Sequence, residues 1–321
     1  MRIANAPSVV SNVFLGFMIG WLVRFHWMGA DLFDFAWPQA LLACCGGVLL
    51  YFSGNLANDW FDRNWDAEKR PERALPSGMF RPSSYLVFSL LLASLAVLSG
   101  FMLSVLSGCT ALAICLLIAI YTFYHKRAIW AVVPMGLCRA GLYFFGFFAQ
   151  WMTPAEIEAL EMFHIGPSSY LRTLVLPSIL AVGLFSYIAG LSLSARYEGM
   201  DDPPQGPKVI SLAMLILPIA AMSCMIMDWD PALGVLGMIP FAFWLGLCLT
   251  RFRKPIPRYV SALLAGIPLV DLIASLPMAL GTDKELIEQN LADLPHLLAM
   301  LVIPAAAFIL GRALQKLAPA T

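Results

Sequence analysis

Apolar residues in this chain come in long runs rather than in alternation, and the runs are broken by short polar stretches that gather nearly all of the charge. A helix needs about 20 consecutive apolar residues to cross a bilayer core. Runs of that length lie near 7–27, 38–58, 83–106, 108–125, 129–151, 172–195, 208–228, 232–250, 260–280 and 294–314. The pattern predicts an all-α, polytopic transmembrane bundle of about ten helices, or nine if one of the later runs is short or re-entrant. The first run, Pro7 to Val23, has no small-residue cleavage site behind it and is read as a retained span.

The polar stretches set the orientation, because Lys and Arg collect on the cytoplasmic side of short loops. Placing the stretch after the second run inside, and alternating from there, puts most of the cations from Arg63 to Lys316 inside. Only Arg24, Arg172 and Lys284 are left outside. The outer segments are acidic instead, and an even number of spans with both termini inside is expected.

Composition then narrows the class. Of 321 residues 60% are hydrophobic, and no globule of this size has interior enough to hide them, so a soluble domain is excluded. We read residues 1–321 as a single integral-membrane domain in the plasma (inner) membrane, with inner-face polar loops near 59–82, 125–129 and 196–208. The lipid bilayer is one partner, and no nucleic acid is expected. The seven cysteines fall in apolar runs without metal-ligand spacing and read as small buried hydrophobes.

Chemistry concentrates in NLANDWFDRNWDAEKRPERALPSG, residues 55–78. Only 12% of the chain is charged, and a large share of that charge is spent here. Asn55, Asp59, Asp62 and Asp66 recur at steps of four, three and four, which a continued helix would bring to one face. Converging carboxylates suit Mg²⁺, which takes one or two from a protein and fills its other positions with water and phosphate oxygens. Lys69, Arg70 and Arg73 follow, able to hold the outer oxygens of a diphosphate. Pro71, Pro76 and Gly78 turn the chain back. A solvated acidic loop is the bland alternative.

The order N-D-x-x-D-x-x-x-D followed by R-P-x-R-x-x-P-S-G resembles the first signature of the UbiA superfamily of intramembrane prenyltransferases. It is matched by Asn58, Asp59, Asp62, Asp66, Arg70, Pro71, Arg73, Pro76, Ser77 and Gly78. The resemblance implies a UbiA-like fold, Mg²⁺ held by Asp59, Asp62 and Asp66 with Asn55 or Asn58 as a neutral neighbour, and an isoprenoid diphosphate donor. It also implies a Tyr and, a turn later, a Lys after the fourth helix that help bind the diphosphate. Tyr121 with His125 or Lys126 stands at that place, where an interfacial Tyr with a positive-inside pair is the plain alternative. The family's second aspartate-rich segment is replaced by Arg196, Glu198, Asp201 and Asp202, with Glu198 the best substitute metal ligand. That replacement resembles the atypical EboC-like subgroup.

Arg139 lies inside the fifth run, where a cation is costly unless it faces a polar cavity or a partner. A bound diphosphate, the acidic segment and Asp271 are its candidate partners, and a structural pair with Asp271 would leave it no catalytic role. The neighbouring aromatics, Tyr143 to Phe148, read as packing or as a wall for an isoprenoid tail. Together these residues predict transfer of an isoprenoid group from an allylic diphosphate to a small, unidentified acceptor. A bundle that only binds, carries or exports a lipid or metabolite is the competing reading.

Overall fold

In a computed structural model of the chain, residues 3–28, 35–126, 128–151, 156, 158, 172–197, 205–223, 231–281 and 294–317 are described. They form α1 (Ala6–Met28), α2 (Trp37–Lys69), α3 (Pro82–Leu103), α4 (Val105–Tyr124), α5 (Val132–Phe148), α6 (Val175–Tyr197), α7 (Gln205–Ser223), α8 (Pro231–Thr250), α9 (Ile256–Ala265), α10 (Ile267–Leu280) and α11 (Leu294–Leu317). Among the described residues nine helical stretches are long and apolar enough to span a membrane, and the seventh predicted run contributes a shorter apolar segment, Lys208–Ala221. The chain is a multi-pass integral membrane protein.

Two departures from the apolar pattern have local causes. The ninth predicted span is two helices, α9 and α10, meeting at Gly266, because Pro268 follows and has no N–H to carry one helix through. Cys45 and Cys109, read as buried hydrophobes, are exposed, while Cys248 is buried. In a bilayer the outer surface of a bundle meets lipid, so an apolar residue has no need of a protein neighbour.

With lipid outside, close packing and interhelical hydrogen bonds replace hydrophobic burial as the force holding helices together. α1 is the axis, packed against α2, α5, α10 and α11. Its crossing with α5 is backbone on backbone. A Cβ on Gly16 would come 2.1 Å from the Tyr143 carbonyl oxygen, and one on Gly146 would come 2.1 Å from that of Val13. Gly16→Val therefore has to push α1 and α5 apart, and overpacking of this kind costs about 1–3 kcal/mol. A lower melting temperature in detergent, read by fluorescence-detected size exclusion, is the expected result. Between α2 and α3 the glue is polar: Ser53 Oγ donates to the Ser89 carbonyl and Ser89 Oγ to that of Ser53, each at 2.9 Å.

α2 has 33 residues. At 1.5 Å per residue it is roughly 50 Å long, whereas the hydrocarbon core is only about 30 Å thick. Its last turns must stand in the interface, and those turns carry the acids.

Candidate active site

The C-terminal third of α2 buries one polar stripe: Asn58, Asp62 and Asp66, successive steps of four, are 6%, 7% and 2% exposed. Asp59 is off the stripe and half-buried. Arg70 ends the helix because Pro71 disfavours helical geometry at the residue before it. The turn then folds through the Ser77 N–H to Arg73 carbonyl bond at 2.9 Å and through Gly78, whose φ of 75° admits a residue without Cβ. This doubling-back delivers Arg73 to the acids. Its Nη1 stands 2.8 Å from Asp66 Oδ2 and 3.8 Å from Asp59 Oδ1.

Asp62 is met from α4, which packs beside α2. Lys126 Nζ lies 2.7 Å from Asp62 Oδ1, and His125 Nε2 lies 3.2 Å from Oδ2. Both positions considered after the fourth helix, His125 and Lys126, reach the same carboxylate. Asn58 Nδ2 donates to Asp62 Oδ2 at 3.3 Å. Trp65 lies under the cations, with Lys126 Nζ 4.0 Å and Arg70 Cζ 5.7 Å from its ring.

The expected convergence of three carboxylates on one point is not what the described residues show. No group of three His, Cys, Asp or Glu side chains among them stands where it could hold one ion. The cause is the spacing itself, because Asp59 to Asp66 covers seven residues, about 10 Å of helix. Each buried carboxylate has instead taken a cation of its own.

Behind this cluster opens a cavity of about 900 Å³. Its wall runs from Trp65, Asn58 and Asn55 along α2 to Leu50, and from Lys126, His125 and Tyr121 along α4 to Ile114. α5, α6 and α9 close it with Met135, Leu142, Leu191 and Leu264. Charged groups on the described wall are all cationic: Arg70, Lys126, Arg139 and Arg196. Arg73, expected as a phosphate contact, is not on that wall and serves the acids instead. Tyr143, Phe145 and Phe147 are fully buried in the core, which assigns the aromatic run to packing.

A family profile described as the UbiA prenyltransferase family matches residues 9–264. The chain belongs to that family. It is 32% identical over 178 residues to digeranylgeranylglyceryl phosphate synthase of Methanothermobacter thermautotrophicus, covering 50% of this chain and 58% of that protein. It is 35% identical over 141 residues to protoheme IX farnesyltransferase of Vibrio vulnificus, covering 42% of this chain and 44% of that one. The chain thus spans about half the length of the curated relatives it matches. The apo structure of a UbiA homolog from Aeropyrum pernix K1 superposes with a TM-score of 0.54 over 95% of this chain and 98% of that one, at 16% identity, which shows the shared fold.

This UbiA-family site also has polar atoms left unsatisfied. Asn58 Oδ1 and Asp66 Oδ1 are buried without a hydrogen-bond partner among the described residues, as is Asn55 Nδ2 on the cavity wall. Leaving such a group unmade costs about 1–3 kcal/mol, so each is open to a water, an ion or a ligand oxygen. An amide oxygen and a carboxylate oxygen are each of the kind a hard, oxygen-seeking dication takes, though about 12 Å of helix separates the two. An orphaned amide donor fits a phosphate oxygen. Glu198, Asp201 and Asp202 lie outside the described residues, and Arg196, on the last turn of α6, reaches the wall. Sequence spacing missed Trp65 and the Asp66–Arg73 pair, although an aromatic amid a charge cluster in so apolar a chain was a usable signal.

Proposed function

We propose that this chain is a Mg²⁺-dependent intramembrane prenyltransferase that moves an isoprenoid group from an allylic diphosphate to a small acceptor. The observation that carries it is the cavity: about 900 Å³, apolar in its depth and cationic where charge occurs, opening beside a row of buried carboxylates. An allylic diphosphate has the same two halves. Family membership and relatives named as synthases and transferases of such groups support the reading. The cation-rich polar loops support a cytoplasm-facing site in the plasma membrane.

In the mechanism, Asp62 would hold the metal with Asn58 Oδ1, one step of four before it, as a neutral ligand; Asp59 and Asp66 stand near that pair along α2, and Glu198 is the candidate for a second ion. When bound, Mg²⁺ neutralises charge on the diphosphate and lowers the barrier to its departure. Lys126, Arg70, Arg139 and Arg196 donate to the diphosphate oxygens, and His125 and Tyr121 border them. These donors strengthen as the C1–O bond breaks and the electron pair leaves with the diphosphate. The apolar wall keeps water from the allylic cation, and the acceptor nucleophile then bonds to C1 and loses its proton.

A direct test incubates the purified chain with Mg²⁺, farnesyl or geranylgeranyl diphosphate and pooled aromatic and hydroxyl acceptors. Diphosphate release is expected, lost on adding EDTA and restored by excess Mg²⁺. Tight donor binding without release for every acceptor would favour the carrier reading instead.

A further inference from the structure

Arg139 is half-buried within the bundle and lies on the cavity wall, but its partner is neither the acidic segment nor Asp271. Its Nη1 donates to Ser8 Oγ at 3.1 Å and to Asn12 Oδ1 at 3.4 Å, both on α1, and its Cζ lies 5.2 Å from the Tyr51 ring centroid. What makes these two oxygens acceptors is a set of bonds farther back. Ser8 Oγ donates its proton to the Asn5 carbonyl at 2.7 Å, leaving lone pairs for the guanidinium. Asn12 turns its Nδ2 to Asp271, 2.9 Å from Oδ1 and 3.0 Å from Oδ2, so its Oδ1 has to face the other way, toward Arg139.

Asp271 is 0% exposed on α10. It accepts from Ser11 and Tyr143 besides Asn12. Of these three, the Asn12 Nδ2 can only donate and so fixes Asp271 as the acceptor of that pair, while the two hydroxyls can serve in either sense. So the amide of Asn12 cannot flip while Asp271 is ionised. The pair that the sequence poses as Arg139 with Asp271 is a relay: a cation on the cavity wall and an acidic acceptor in the core, with an amide oriented by both between them.

We propose that Asp271 is a positioning residue for the transfer reaction, acting through Asn12 to hold the Arg139 guanidinium at the cavity wall. The proposal rests on the reading of Arg139 as a contact for the departing diphosphate. Replacing the carboxylate by a carboxamide removes the constraint, because residue 271 then offers an NH₂ as well as an oxygen. Asn12 can turn, and its own NH₂ would oppose the guanidinium.

The experiment is a double-mutant cycle on the full chain in detergent or nanodiscs, with geranylgeranyl diphosphate as probe. Donor affinity and the rate of diphosphate release at saturation are measured for wild type, Asp271→Asn, Arg139→Ala and the double variant. Outer partners that orient metal-ligating side chains are commonly worth about tenfold or more, and an amide that orients a guanidinium is expected to act on the same scale. Asp271→Asn is therefore expected to slow release about tenfold with donor affinity nearly unchanged, and to add nothing once Arg139 is alanine. Tyr143→Phe, which keeps the carboxylate and removes one donor, should show the same non-additivity in weaker form, and it replaces Asp271→Asn if that variant does not fold. Wild-type release in Asp271→Asn, or a loss that multiplies with that of Arg139→Ala, overturns the positioning role while leaving Arg139 as a contact. Wild-type release in Arg139→Ala removes the contact itself and the inference with it.

Discussion

Asp62→Ala is expected to abolish Mg²⁺-dependent release of diphosphate from a prenyl donor. Asp62 is the best-connected acid of the cluster, held by Lys126, His125 and Asn58, and no second carboxylate among the described residues is placed to replace it. Its removal should leave the fold standing. The Lys126 side chain keeps 32% of its exposure, so water can cover the ammonium left behind, and His125 keeps its contact with the Thr122 carbonyl. Monodisperse protein with no release above a no-enzyme control is the predicted result. Turnover near wild type would remove the metal assignment from α2, and Asp59→Ala asks the same of the acid beside it.

Lys126→Ala carries the second large effect. The ammonium bridges the two halves of the site, touching Asp62 on one side and lining the cavity on the other. A preorganised donor aimed at charge that builds on a leaving group is worth about 10²–10³-fold in rate, and release measured at saturating donor should fall by that factor. Lys126→Arg restores the charge but not the point donor over Trp65, and should recover only a fraction of the rate. A Lys126→Ala rate within a few-fold of wild type would mean that Asp62 is the lysine's only business.

Much of this was legible in the sequence, for identifiable reasons. Apolar runs gave the spans, because in lipid a helix must satisfy its own backbone and so announces itself by length. The N-D-x-x-D order gave the row of acids, because helical spacing is local information. Tyr121, His125 and Lys126 could be placed beside the acids because the fourth span ends on the same membrane face as the second. What could not be read is what depends on contacts between distant residues. Asp271 meets Asn12 across most of the chain, and no spacing rule joins them. Arg73 has the look of a phosphate ligand, yet the turn at Gly78 sends it to Asp66. Gly16 and Gly20 show their part only where α5 is laid against them. The carboxylates were expected to share one ion, and the pairing of each with its own cation is a property of the neighbouring α4 and of the turn after α2.

Those cations have to give way for a metal to bind, and this makes the central claim open to a single measurement. One Mg–diphosphate headgroup would have to sit between the α2 acids and Lys126, with the prenyl tail in the cavity behind. A structure of the chain with an unreactive thiolodiphosphate analogue and Mn²⁺ tests it through the anomalous signal of the ion. The predicted result is a peak within ligating distance of Asp62, diphosphate oxygens on Lys126, and tail density running past Tyr121 toward Leu142. A tail bound in the cavity with no ion at Asp62, or an ion bound with its ligand outside the cavity, would contradict it.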